Sequence, residues 1–155
     1  MPLPDPAARV LRQFRRVFSA VRSHFREIEK QAGIGGAQVW ALSLVDQHPG
    51  MGVKDLALAM DIHPSTASNL VKALVARQLI ETGRHSEDRR AIHLQLRPGG
   101  AQVLARVPGP MAGVLPAALA GLDPDTLARL DRDLGDLIER LGGDEASARI
   151  PLAEL

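Results

Sequence analysis

The chain contains no cysteine. Disulfides, thiolate-bound metals and thiol-based redox sensing are therefore excluded. Aromatic residues are scarce as well, with one tryptophan, three phenylalanines and no tyrosine. No apolar run approaches the roughly 20 residues that a membrane span needs. The first residues lack the charged-then-apolar order of a secretory signal. The expected compartment is the cytoplasm, with no membrane partner. No repeat of roughly 20–50 residues is visible. His24, His48, His63, His85 and His93 are scattered, without metal-ligand spacing or a nucleophile–base pairing. His85, Glu87 and His93 could gather on one loop, but a solvated loop explains them better. No metal, no cofactor and no enzymatic activity are expected.

At 155 residues with 45% apolar content, the chain can fill one core with appended helices. Its net charge of +1 hides an uneven distribution. Residues 1–33 hold seven Lys/Arg against three Asp/Glu, residues 34–61 one against three, residues 62–97 six against three, and residues 98–155 five against nine. One basic middle region beside an acidic C-terminal part suits binding of nucleic acid by one face.

That basic region carries the most informative pattern. Lys54–Met60 and Ser65–Arg77 are helical stretches on either side of a joint, Ile62-His63-Pro64. In the second stretch Ala67, Leu70, Val71 and Leu74 fall at i, i+3, i+4 and i+7, a single apolar face. The opposite face carries Ser65, Thr66, Ser68, Asn69 and Lys72, just after Pro64, and none is acidic. Such a helix fits a DNA major groove, where amide, hydroxyl and ammonium groups meet base edges and phosphates. Two strands follow, Leu79–Arg84 and Ala91–Leu96, the second with Ile92, Leu94 and Leu96 inward and His93 and Gln95 outward. Between them lies the polar run His85-Ser86-Glu87-Asp88-Arg89-Arg90. Helix, turn, helix and a two-stranded ribbon with a basic tip spell a winged helix-turn-helix. Gly52-Val53 is expected to add a short third strand.

Long helices flank this module. Residues 1–6 hold three prolines and read as an extended lead-in. From Ala7 to Ala32, Phe14, Phe18, Val21, Phe25, Ile28 and Ala32 form a heptad seam that takes in every phenylalanine. Gly33-Ile34-Gly35-Gly36 ends it, and a second helix spans Ala37–Gln47 with Trp40 on it. A helix from Pro98 to about Leu119 should break near Val107-Pro108-Gly109-Pro110. A last helix starts after Asp123 as N-cap, with Leu127, Leu130, Leu134, Leu137 and Leu141 as a second heptad seam. The expected fold is mainly α with a small β wing. Residues 1–33 are read as an N-terminal dimerisation helix, 34–97 as the winged DNA-binding domain and 98–155 as C-terminal dimerisation helices. A two-fold dimer would present two reading helices to half-sites ~34 Å apart.

The chain resembles the MarR family of bacterial transcriptional regulators. The resemblance rests on Leu56-Ala57, Pro64-Ser65-Thr66-Ala67-Ser68-Asn69-Leu70-Val71, Leu74, Gly83-Arg84, Asp88-Arg89-Arg90 and Leu94-Gln95-Leu96 running into Pro98-Gly99-Gly100. It covers roughly residues 8–141. It implies a homodimer joined through its terminal helices, binding a pseudo-palindromic double-stranded DNA operator as a repressor or activator relieved by a small ligand. Carried over by position, Ser65, Thr66, Ser68 and Asn69 contact bases or phosphates. Arg89 or Arg90 is the wing arginine, braced by Asp88. His85-Ser86-Glu87 departs from the family's usual run, which leaves Arg84 as a further candidate. The prolines at 108 and 110 depart from the family pattern too. Phe18, Arg22, Phe25 and Trp40 are candidate walls of an effector cleft suited to a small aromatic carboxylate or phenol. The competing reading is a winged-helix protein–protein interaction module without DNA binding.

Overall fold

A computed structural model of the protein describes residues 1–84 and 92–155. Its first helix, α1, is Asp5–Ala32. The expected extended lead-in is thus shorter than the prolines suggested. Pro6 sits in the first helical turn, where its missing N–H has no partner to lose. Gly33 closes α1 with φ of 75°, and its N–H donates to the Glu29 carbonyl at 2.9 Å. The heptad seam of α1 is buried only at its end. Ile28 and Ala32 are buried, Phe14, Val21 and Phe25 are half-buried, and Phe18 is 65% exposed.

Helix α2, Gly36–Gln47, is the hub. Val39, Ala41, Leu42 and Val45 are fully buried, and α2 packs against α1 and against three later helices and a strand. A helix apolar on nearly every side must sit inside the molecule. Its one buried hydroxyl, Ser43, donates back to the Trp40 carbonyl at 2.7 Å.

Helices α3 (Val53–Met60) and α4 (Pro64–Ala76) follow, joined by Asp61-Ile62-His63. The Asp55 carboxylate accepts from the Gly52 N–H at 3.0 Å, which fixes the start of α3. Asp61, at φ of 54°, ends it, and Ile62 is buried beneath the joint. Strands β1 (Ile80–Arg84) and β2 (Ile92–Leu96) pair antiparallel, with Ile80 opposite Leu96, Thr82 opposite Leu94 and Arg84 opposite Ile92. Ile80 and Leu94 face the core.

Two expectations about this ribbon are corrected. No third strand forms at Gly52-Val53, because Gly52 becomes the N-cap of α3 and Val53 its first residue. The contact moves back instead. Gly50 donates to the Leu94 carbonyl at 2.9 Å, and Leu94 donates to the Met51 carbonyl at 2.8 Å. The inward–outward alternation of β2 also fails at its first two residues. Ile92 is 41% exposed, since its pairing with Arg84 is the one farthest along the ribbon from the Ile80–Leu96 end. His93 is half-buried and donates from Nδ1 to the Gly50 carbonyl at 2.7 Å.

Helix α5, Pro98–Arg106, crosses close to this junction. A Cβ at Gly100 would lie 2.3 Å from the Leu79 carbonyl oxygen and 3.1 Å from a Leu42 methyl. The chain breaks where the prolines required it, and α6 resumes at Val114–Ala120. Helix α7, Pro124–Leu141, begins with a built cap: the Asp123 carboxylate accepts from the Thr126 N–H at 3.0 Å and from its hydroxyl at 2.6 Å. These hydrogen bonds hold the Asp123 carboxyl below the usual carboxylate range. Not one residue of α7 is buried. Leu130, Leu134, Ile138 and Leu141 are 36%, 39%, 51% and 73% exposed. After Gly142 the chain returns. Two 3₁₀ turns, Glu145–Arg149 and Leu152–Glu154, bring buried Pro151 and half-buried Ala153 back onto the lobe around α2.

Candidate nucleic-acid interface

Helix α4 is positioned from beneath. Ala67, Leu70, Val71 and Leu74 are at most 6% exposed and pack toward α2, α3 and β1. Pro64 opens the helix, its missing N–H harmless in that first position. The buried stripe forces the remaining side outward. Pro64, Ser65, Asn69 and Lys72 are exposed, and Thr66 and Ser68 are half-exposed at the margin of the stripe. All six lie on one helix of 13 residues, which spans about 20 Å. Among the described residues Lys72 takes part in no ion pair, and no acidic side chain lies on α4. The exposed face can therefore donate and accept hydrogen bonds to base edges and attract phosphate without first breaking an internal contact.

The ribbon β1–β2 stands beside α4 through the packing of β1 on α4. The backbone of Arg84 closes β1, and its side chain lies outside what the structure describes. Asp88, Arg89 and Arg90, together with His85 and Glu87, lie outside the described residues.

The residues read as a ligand wall are divided between two cavities. Phe18, Arg22 and Phe25 line a cleft of about 440 Å³ along α1, together with Val17, Val21 and Leu115. Trp40 lines a neighbouring cavity of about 50 Å³ with Gly36, Pro116 and Pro151. Phe25, Leu152 and Ala153 line both and stand between them. Leu152, Ala153 and Leu155 also line the larger cleft, and sequence reasoning missed them. The apolar pair Leu152 and Leu155, three apart after a proline, was the available signal. No group of three metal-ligating side chains occurs among the described residues. His24 faces the Pro110 carbonyl at 3.2 Å, far in sequence from the other histidines.

A buried-under, polar-over second helix followed by a two-stranded ribbon defines the winged helix-turn-helix class. Residues 32–91 match the model of the MarR family. The chain is similar to that family over this module. A Thauera aromatica protein named for transcriptional regulation of the hcr operon is 32% identical over 89 residues, 57% of this chain and 54% of that protein. The transcriptional repressor MdtR of Bacillus subtilis is 26% identical over 84 residues, 54% of each chain. This chain therefore matches about half the length of these curated relatives. In fold, a MarR variant from E. coli, complexed with operator DNA, is similar with a TM-score of 0.57 at 16% identity, covering 87% of this chain and 99% of that one.

Proposed function

We propose that this protein is a sequence-specific, DNA-binding transcriptional regulator that acts as a homodimer on a pseudo-palindromic operator. The observation that carries the reading is α4: four apolar residues buried beneath it and Ser65, Thr66, Ser68, Asn69 and Lys72 free on its outer side. The excess of six Lys/Arg over three Asp/Glu in residues 62–97 supports it, as does the fold shared with a DNA-complexed regulator. In this reading residues 34–97 bind DNA, with an arginine among Arg84, Arg89 and Arg90 at the minor groove and Asp88 bracing it. Residues 1–33 and 98–155 pair two copies. The exposed leucines of α7 and exposed Phe18 on α1 support that pairing, because apolar faces of this extent seek cover. The name of one relative, the repressor MdtR, favours repression. The cleft at Phe18, Arg22 and Phe25, with Trp40 behind it, would receive a small aromatic effector that releases the operator.

A winged module that binds only proteins would not need the cationic, acid-free face. Gel-shift titration with DNA selected from a random pool separates the two. A regulator binds with an affinity that falls at least about tenfold from 50 to 200 mM salt, as phosphate contacts release counterions. No binding at the lowest salt would overturn the proposal.

A further inference from the structure

Residues 144–155, the end of the segment read as pairing two copies, follow α7 and return to the lobe around α2. Their path is fixed at three points. First, the Asp144 carboxylate caps the Glu145–Arg149 turn by accepting from the Ser147 N–H at 2.9 Å. Second, Pro151 is buried, and the methyl of Ala153 would stand 3.3 Å from a Cβ at Gly36. The Phe25 ring crowds the same point at 2.5 Å, so Phe25 and Ala153 share the space that Gly36 leaves open. Third, the Arg149 carbonyl accepts from the backbone N–H of His63 at 3.4 Å. His63 is the N-cap of α4, and its own carbonyl accepts from Ala67 at 3.0 Å, the first turn of that helix.

We propose that residues 144–155 are a strap that couples occupancy of the α1 cleft to the start of the reading helix α4. The proposal rests on reading the cleft as an effector site and α4 as the DNA-reading helix. Its physical basis is short. Arg149, which holds His63, lies only three residues from Leu152, which lines the cleft. Leu152 is 44% exposed and Leu155 73% exposed, so their hold on the cleft is light. An apolar anion seated between Phe18 and Phe25 would take the same surface, with Arg22 beside it. Lifting Leu152 drags the connected backbone and removes the acceptor from His63. The N-cap of α4, just before Ser65 and Thr66, then loses the hydrogen bond that the strap gives it.

The test uses the full chain, a Leu152→Asp variant and a deletion of 144–155, each checked for folding by its melting curve. The probe is 1-anilinonaphthalene-8-sulfonate, an apolar aromatic anion. The coupling predicts that the probe binds the Leu152→Asp and deleted chains about tenfold more tightly than the full chain, because the strap no longer competes. It also predicts that the amides of His63 and Ala67, the two hydrogen-bonded at this point, exchange their hydrogens between about twofold and about tenfold faster in Leu152→Asp, and in the full chain once the probe is saturating. Equal probe affinity in all three chains, or exchange at His63 that neither Leu152→Asp nor the probe moves, overturns the strap. If the deleted chain fails to fold, Leu152→Asp alone decides. Gel shift with the full chain separates the two levels. DNA binding with unmoved exchange sinks only the strap, whereas moved exchange without DNA binding sinks only the regulator reading.

Discussion

Helices α4 and α7 both repeat apolar residues every three or four positions, yet Ala67, Leu70, Val71 and Leu74 of α4 are at most 6% exposed while Leu130, Leu134, Ile138 and Leu141 of α7 are 36–73% exposed. The difference does not lie in the stripes. It lies in what arrives to cover them. Helix α4 meets α2, α3 and β1, whereas α7 has no broad contact with any other described element. Burying a leucine is worth about 1.5–3 kcal/mol, so α7 leaves several kcal/mol unrealised in a single chain. The comparison teaches that one helical period can serve two ends. In α4 it fastens a helix so that its other side is free for a ligand; in α7 the stripe itself is the free side.

The sharpest way to break this comparison is to replace one leucine in each stripe. Leu74→Ala, at 0% exposure, should cost about 2–5 kcal/mol and be visible in chemical denaturation. Leu134→Asp should leave the denaturation of the winged module nearly unchanged and instead lower the mass seen by light scattering. Equal losses of stability from the two would mean that α7 is as well covered as α4. A smaller effect, about 1–3 kcal/mol, is expected for Gly100→Ala, because the added methyl meets the Leu79 backbone at 2.3 Å and backbone cannot rotate away. Unchanged stability there would show that α5 can slide off the ribbon. The smallest effect concerns the cap of α7. The Asp123 carboxyl is depressed below its ordinary 3.8 by its bonds to Thr126. A depressed acid contributes stability above its unfolded-state value, and that contribution fades as pH falls through the folded-state value. Asp123→Ala should therefore lower Tm slightly at neutral pH, with the gap to the parent chain closing as pH falls below the ordinary 3.8 and through the lower folded-state value. A gap independent of pH would assign the cap to shape and not to charge.

Much of the fold was legible because its determinants are close in sequence. The buried stripe of α4, the break after Val107, the αL glycine at Gly33 and the Asp123 cap all depend on residues within a few positions of one another. The errors were long-range. Gly50 and Met51 reach Leu94 across 43 or more positions, which drew the expected strand away from Gly52-Val53. Ile92 looked inward by alternation but stands at the far end of the ribbon, where no core reaches it. Of the four aromatic and arginine residues read as one wall, Trp40 lines a separate cavity, with Phe25, Leu152 and Ala153 shared between the two.

By itself, the order of residues determined the helices, their apolar sides and the polar row from Ser65 to Lys72. Spacing along a helix settles such things, since neighbours three and four apart share a side whatever else surrounds them. Only the tertiary structure decided which of those apolar sides is covered, and that Leu152 and Ala153 return to Phe25 and Gly36 more than a hundred residues earlier. Cover comes from distant segments, and nothing local in a stripe of leucines says which segment will reach it.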